Sequence, residues 1–305
     1  MNIYGAGMAG LLVATVLKRF NPVVHEKQAS LPNNHNALLR FRSDVVSKLT
    51  GIPFRKVAVA KGVVWDGEVR TVATMAMNNA YAWKVVGKVV ERSVLNLTGG
   101  DRYIAPPDFV SRLAEGLAIE YNSTLGTNIL LRNADSDPLV STVPMPVLMG
   151  VAGIDNRPEF RCRRVWTATS MLKDCDVFQT LYYPEVQRRY YRASITGNKL
   201  TVEYMTDPGE TTENDIDEVM DDFGIDQQPK VEVKSQEYGK LAPLDNPQVA
   251  RQFILMMTDR YRVYSLGRFA TWRQLLLDDL VKDISIIERL VDCRDRYEKV
   301  LRGAM

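Results

Sequence analysis

Three glycines within the first ten residues constrain this chain more than any other feature. Ile3 and Tyr4 read as the end of a short buried strand, Gly5, Gly7 and Gly10 follow at G-x-G-x-x-G spacing, and Leu11 to Phe20 read as a helix. In such a strand–turn–helix the first glycine permits the tight turn, the second lets a pyrophosphate approach the backbone, and the third lets helix and strand pack closely. The phosphate faces unpaired N–H groups and the positive end of the helix dipole. Gly5, Gly7, Met8, Ala9 and Gly10 are therefore expected to hold a dinucleotide.

Residues 22–26 read as a second strand ending in Glu26, followed by Lys27. The separation places Glu26 on a ribose hydroxyl, and an acid there favours a free 2′-OH, hence FAD or NAD over NADP. The plain alternative is an unliganded β-α-β unit.

The rest of the composition narrows the chemistry. His25 and His35 are the two histidines, and Cys162, Cys175 and Cys293 are scattered without a C-x-x-C. Metal sites, disulfide frameworks and Ser–His–Asp triads all need more than this, so no metal is expected and the chemistry is assigned to a cofactor. No apolar run reaches the roughly 18 residues of a membrane span. A glycine turn so near the first residue leaves no room for a signal peptide, so no membrane association and a cytoplasmic location are expected.

Along the chain, Ala37 to Leu49 is apolar at helical spacing, and 52–69 alternates as strands with turns at Lys61–Gly62 and Asp66–Gly67. Phe109, Leu113 and Leu117 follow a helix start, while 128–131 and 139–142 read as short strands. Residues 161–206 are rich in strands, with Gly197–Asn198 as a hairpin turn. The acidic stretch 207–226 reads as a solvated helix plus loop. Gln248 to Tyr261 reads as a helix, Val263 to Leu266 as a buried strand, and Thr271 to Arg302 as terminal helix. Large β insertions inside a nucleotide-binding unit suit a flavoprotein better than a dehydrogenase. The expected class is α/β with α+β insertions. A Rossmann-like FAD-binding part (1–60, 111–150, 241–305) interleaves with a mixed-sheet substrate part (61–110, 151–240).

Residues 263–273, VYSLGRFATWR, resemble the closing segment of the flavoprotein group that contains UDP-galactopyranose mutase, protoporphyrinogen oxidase and the amine oxidases. Residues 102–109, 140–146 and 238–244 resemble further segments of that group in the same order. The resemblance implies FAD, with Arg42, Thr142, Gly267, Arg268, Thr271, Trp272 and Arg273 joining the glycine turn as cofactor contacts. It implies a helix near Ala270–Thr271 aimed at the flavin, and Arg268 on the pyrophosphate. It also places Arg192 where the mutase has a central arginine and Tyr238 where it has a tyrosine, the two residues expected at the reacting centre. His35, Trp83, Tyr190 and Gln274 are expected to contact substrate. Gln274 and Leu276 stand where the mutase carries a tyrosine and an aspartate, a departure that speaks against mutase activity.

The resemblance implies an amine-oxidase-like FAD-dependent oxidoreductase that breaks a C–N bond by hydride transfer to flavin. The alternatives are a mutase-like isomerase using reduced flavin on a sugar nucleotide, and a non-catalytic nucleotide-binding protein. Two basic clusters, Arg161–Arg164 and Arg188–Arg192, are candidate phosphate contacts for a nucleic acid. Small flavoproteins of this kind also resemble bacteriophage enzymes acting on amino-acid adducts of modified thymines in DNA, so the substrate is read as a small molecule or a nucleotide-linked one.

Overall fold

The computed structural model describes residues 1–31, 39–133, 137–155 and 157–303, and at 237–238 and 295–303 the backbone alone. The first half contains β1 (Asn2–Tyr4), α1 (Met8–Val16), β2 (Val23–Glu26), β3 (Arg40–Phe41), α2 (Val45–Thr50), β4 (Arg55–Trp65), β5 (Glu68–Arg70), α3 (Met75–Val86), β6 (Gly100–Ile104), α4 (Phe109–Ala114), β7 (Ala118–Tyr121) and α5 (Thr127–Asn133). The second contains β8 (Leu139–Ser141), α6 (Met145–Val151), β9 (Cys162–Met171), β10 (Val177–Tyr182), β11 (Tyr190–Gly197), β12 (Lys199–Tyr204), α7 (Thr212–Phe223), β13 (Val231–Leu241), α8 (Pro247–Tyr261), β14 (Val263–Ser265) and α9 (Leu277–Gly303).

Among the described residues one sheet has the order β14-β8-β1-β2-β7, and every pairing in it is parallel. Parallel strands covered on both faces must be apolar throughout, as Ile3, Val24, Leu139, Val140 and Val263 are. On one side α1, α2, α4 and α9 pack over them, with Leu11, Leu12, Phe109, Leu280, Ile284 and Val291 in one core. Beyond β1 the chain turns to β2 on one side, while β8 lies on the other. A crevice opens where strand order switches in this way, which is where such sheets bind ligands.

The second sheet runs β13-β9-β12-β11-β10-β4-β6-β3, with β5 beside β4. Its two faces differ sharply. Leu181, Ala193, Ile195, Leu200 and Val202 point to one face and pack on Ile216, Val219 and Met220 of α7. Arg192, Ser194, Thr180, Thr201, Glu203 and Lys61 share the other through the strand registers. Arg40 crosses from β3 onto that polar face, donating to Thr180 at 2.6 Å and to the Ile195 carbonyl at 2.6 Å.

Several expectations needed correction. The helical spacing of Ala37 to Leu49 gives way to β3 and a short α2, with residues 37–38 outside the described residues. Residues 128–131 form a helix, α5, because Ile129 and Leu130 pack towards α8 rather than into a sheet. Strand β4 continues through Lys61–Gly62, since β10 pairs along it. The terminal helix starts at Leu277, six residues later than expected, because Gly267–Thr271 closes a turn of its own, with the Thr271 N–H donating to the Gly267 carbonyl at 3.0 Å.

The three glycines differ in what surrounds them. A Cβ on Gly10 would overlap the Gly5 carbonyl, and Gly5 itself has φ +103 against the Thr142 side chain. A Cβ on Gly7 would meet nothing within 4 Å. Gly10→Ala is therefore expected to cost about 1–3 kcal/mol of stability by forcing helix and turn apart. Gly7→Ala should stay within about 0.5 kcal/mol of the parent. Urea unfolding midpoints check both.

Candidate active site

Parallel register aligns the C-terminal ends of β1, β2, β8 and β14. Tyr4 sits opposite His25 and Ser141, and Ser265 opposite Ser141, so Gly5, Glu26, Thr142 and Gly267 all follow from one sheet edge. Thr142 Oγ1 donates to the carbonyls of Tyr4 and Gly5 at 3.0 and 3.2 Å. A Cβ on Gly267, at φ +97, would stand 3.1 Å from the Ala9 Cβ, so the closing turn packs on the glycine turn. Glu26 is buried. Its Oε2 accepts from the Ala6 N–H at 2.8 Å and its Oε1 from the Gln28 N–H at 3.0 Å. Each oxygen keeps a lone pair for a further donor such as a hydroxyl.

Gly7 is the N-cap of α1 and supplies no side chain to it. The first intrahelical acceptance is Leu11 N–H to the Gly7 carbonyl, so the N–H groups of Met8, Ala9 and Gly10 have no acceptor among the described residues. Open space beside Gly7 and three unpaired donors make an anion cradle. A dinucleotide pyrophosphate fits these residues.

A second set of charged groups lies on the second sheet, on the face that carries Arg192. Arg192 and Glu203 are paired by register and by a direct ion pair, and the Tyr191 hydroxyl donates to the other Glu203 oxygen at 3.0 Å. Burial pushes the Glu203 carboxyl up, yet Arg192 and then Lys240 outweigh it and hold the group below its ordinary value. Lys240, on β13, stands with its Nζ 5.1 Å from the centre of the Tyr191 ring. Burial pushes its ammonium down to about 7, against the pull of Glu203 and with help from Arg192, Arg268 and Arg92. Arg268 donates to the Gly239 carbonyl at 3.0 Å, and its buried Nε has no hydrogen-bond partner. Sequence reasoning missed Lys240 and Glu203. Each is an unremarkable strand residue until β9, β11, β12 and β13 pair.

Other expected contacts lie elsewhere. Tyr190 is fully buried on the opposite face, in the α7 core, where its hydroxyl donates to Glu218 at 2.8 Å. The reason is a β-bulge: Tyr190 pairs with Tyr204 and Arg192 with Glu203, so Tyr191 is an extra residue that reverses the side on which Tyr190 falls. Trp83 is 62% exposed and lines an outer pocket of about 460 Å³ with Lys88, Arg161, Arg163, Pro243 and Asp245. Arg42 pairs with Asp279 at 2.9 Å, and its N–H donates to Asp278 at 2.7 Å, which fastens β3 to α9. Arg273 pairs with Asp283 of the same helix.

Thr271 is buried, with its hydroxyl on the Gly267 carbonyl, and the Trp272 indole donates to the Ala242 carbonyl at 3.1 Å. Gln274 donates to the Leu241 carbonyl at 2.7 Å, beside Lys240. Lys27 is exposed. Tyr238 is on β13, but its side chain lies outside the described residues, as does all of His35.

The basic clusters are largely neutralised. Arg188 pairs with Glu218 and Asp222, Arg189 with Asp215, and Arg161 with Glu159. The acids of α7 thus face arginines as well as solvent. Among the described residues no helix is long and apolar enough to cross a membrane.

No family model and no curated protein sequence matches the chain. Solved structures do. A reduced UDP-galactopyranose mutase superposes with a TM-score of 0.69 at 14% identity, over 96% of this chain and 93% of that one. A protoporphyrinogen oxidase candidate from an Exiguobacterium species gives 0.61 at 10% identity, over 95% and 98%. Aklavinone-11 hydroxylase, in complex with FAD and aklavinone, gives 0.52 at 12% identity, over 95% and 61%. The fold is that of the FAD-binding Rossmann-type oxidoreductases, and it is the fold that these likenesses establish.

Removing the Glu203 charge leaves Arg192 buried without its counter-ion, so Glu203→Gln should cost about 3 kcal/mol at neutral pH. A carboxyl held below its ordinary value stabilises the fold above that value and loses this effect as pH falls through its folded-state pKa. Acid unfolding of Glu203→Gln should accordingly be flatter than that of the parent below about pH 4.5, as read by circular dichroism.

Proposed function

We propose that this protein is an FAD-dependent oxidoreductase that oxidises a C–N bond in an amine or amino-acid-like substrate. The observation that carries the reading is the contrast among the glycines: protein packing accounts for Gly5 and Gly10, whereas Gly7 faces open space beside three unpaired N–H donors. The likeness to a hydroxylase solved with FAD supports the choice of dinucleotide. In this reading Gly7, Met8, Ala9 and Gly10 hold the pyrophosphate and Glu26 the ribose. The bound flavin supplies the two-electron acceptor that the side chains lack.

The chain's own residues then handle charge and protons. Hydride leaves most readily from a carbon attached to a neutral amine, so an ammonium substrate must first lose a proton. Lys240, pushed down to about 7, is neutral in part of the population near neutrality and accepts that proton at Nζ. Glu203 fixes Arg192, which orients the substrate. Thr142 and Gly267 hold the glycine turn against the closing turn.

A purified sample is expected to be yellow, with flavin absorbance that bleaches anaerobically on adding a substrate amine. Gly7→Leu should fold as the parent does and lose the colour; a colourless parent that takes up no added FAD would sink the reading. The bleaching rate should rise with pH through about 7 as Lys240 loses its proton, and Lys240→Met should remove that rise and slow the step at least tenfold. Stopped-flow absorbance measures both.

A mutase-like isomerase is the second reading, favoured by the TM-score of 0.69. Gln274, on the Leu241 carbonyl, and the half-exposed Leu276 stand where the resemblance expects a tyrosine and an aspartate. A mutase would need dithionite and consume no oxygen, whereas an oxidase turns over in air.

A further inference from the structure

Strand β13 ends the second sheet: β9 pairs with one side of it, and among the described residues no strand pairs with the other. Residues 231–236 run antiparallel to β9 without interruption, from Val231 opposite Ser170 to Gln236 opposite Val165, and the register shifts beyond them. Glu232, Val233, Lys234 and Ser235 are all exposed, Val233 at 42%. A free edge of this length is a template for another strand, because its outward N–H and C=O groups have no partner in the sheet.

The direction of those groups can be read from two side chains of β9. The hydroxyls of Thr169 and Thr167 donate to the carbonyls of Glu232 and Lys234 at 3.4 Å each, so these two carbonyls face β9. Main-chain groups alternate in direction along an antiparallel strand. The N–H and C=O groups of Val231, Val233 and Ser235 therefore point away from the sheet, and none of them has a hydrogen-bond partner among the described residues. Side chains alternate too. Glu232 and Lys234 share one face, where they pair at 2.8 Å, and Val231, Val233 and Ser235 share the other.

A two-fold axis through Val233 makes this edge complementary to itself. Val233 then lies opposite its own copy and Val231 opposite Ser235, so all the outward N–H and C=O groups find partners. Glu232 falls opposite Lys234 of the second copy, and Lys234 opposite its Glu232. These are the closer, non-hydrogen-bonded positions, where cross-strand charges interact most directly. Charge also selects the register. The smallest slip that keeps the outward groups aligned is two residues; in one direction it sets Glu232 against Glu232, and in the other Lys234 against Lys234. Like charges directly opposite destabilise a strand pair.

We infer that residues 231–236 form the interface of a two-fold homodimer, in which β13 of two copies pair antiparallel about Val233 and join their second sheets into one. The pairing turns β13, the strand that carries Lys240, from an edge strand into an interior one.

Sedimentation equilibrium of the purified full chain should show a dimer at low salt that dissociates on dilution. Val233→Pro deletes an outward N–H that the single chain does not use, so it should keep the circular dichroism of the parent and weaken the dimer at least tenfold. Glu232→Lys and Lys234→Glu each set like charges opposite one another, and each should be monomeric alone. Mixed in equal amounts they should form a heterodimer, since both lysines of one chain then meet both glutamates of the other. A parent chain that stays monomeric at every concentration would overturn the inference. A dimer that persists in all three variants would do the same by placing the interface elsewhere, as would two folded charge variants that stay monomeric when mixed.

Discussion

The parallel pairing of β1 with β8, and of β8 with β14, is the constraint on which the rest of the structure depends. It sets the ends of strands that are far apart in sequence at one level, so that Gly5, Thr142 and Gly267 meet. Thr142 clamps the glycine turn through two carbonyls, and Gly267 lies so close to Ala9 that a side chain there would press on α1. Helices on both sides of the sheet exclude water from the ladder, which makes a slipped register expensive. The anion cradle at α1 exists because this edge is fixed.

The second sheet contributes a different kind of constraint. One face is apolar and closed by α7, and the other carries Arg192 and Glu203 beside Tyr182 and Val63, which α3 covers through Met77, Tyr81 and Val85. The Arg192–Glu203 pair and the Tyr191 hydroxyl satisfy one another.

Much of the first sheet was legible in the sequence because its signals are local. The glycine turn, Glu26 at a strand end and the short apolar runs at 139–141 and 263–265 each state their structure within a few residues. Where the sequence misled, a distant partner decided the outcome. Residues 128–131 read as a strand and became α5, whose apolar side packs with the α8 core. Arg42 and Arg273 looked like cofactor contacts, but α9 presents Asp279 and Asp283 to them. Tyr190 and Arg192 share a parity that should place them together, and one extra residue in the bulge separates them.

By itself the sequence determined a strand–turn–helix with glycines at its turn and a closing strand followed by a Gly-Arg turn, since glycine spacing and strand composition are properties of contiguous residues. Only the tertiary structure decided that Lys240 and Glu203 belong beside Arg192, and that Trp83 and Tyr190 do not. The physical reason is that strand pairing and a bulge set which side chains share a face, and burial among neighbouring cations, which no single residue carries in its own identity, sets how tightly Lys240 holds its proton.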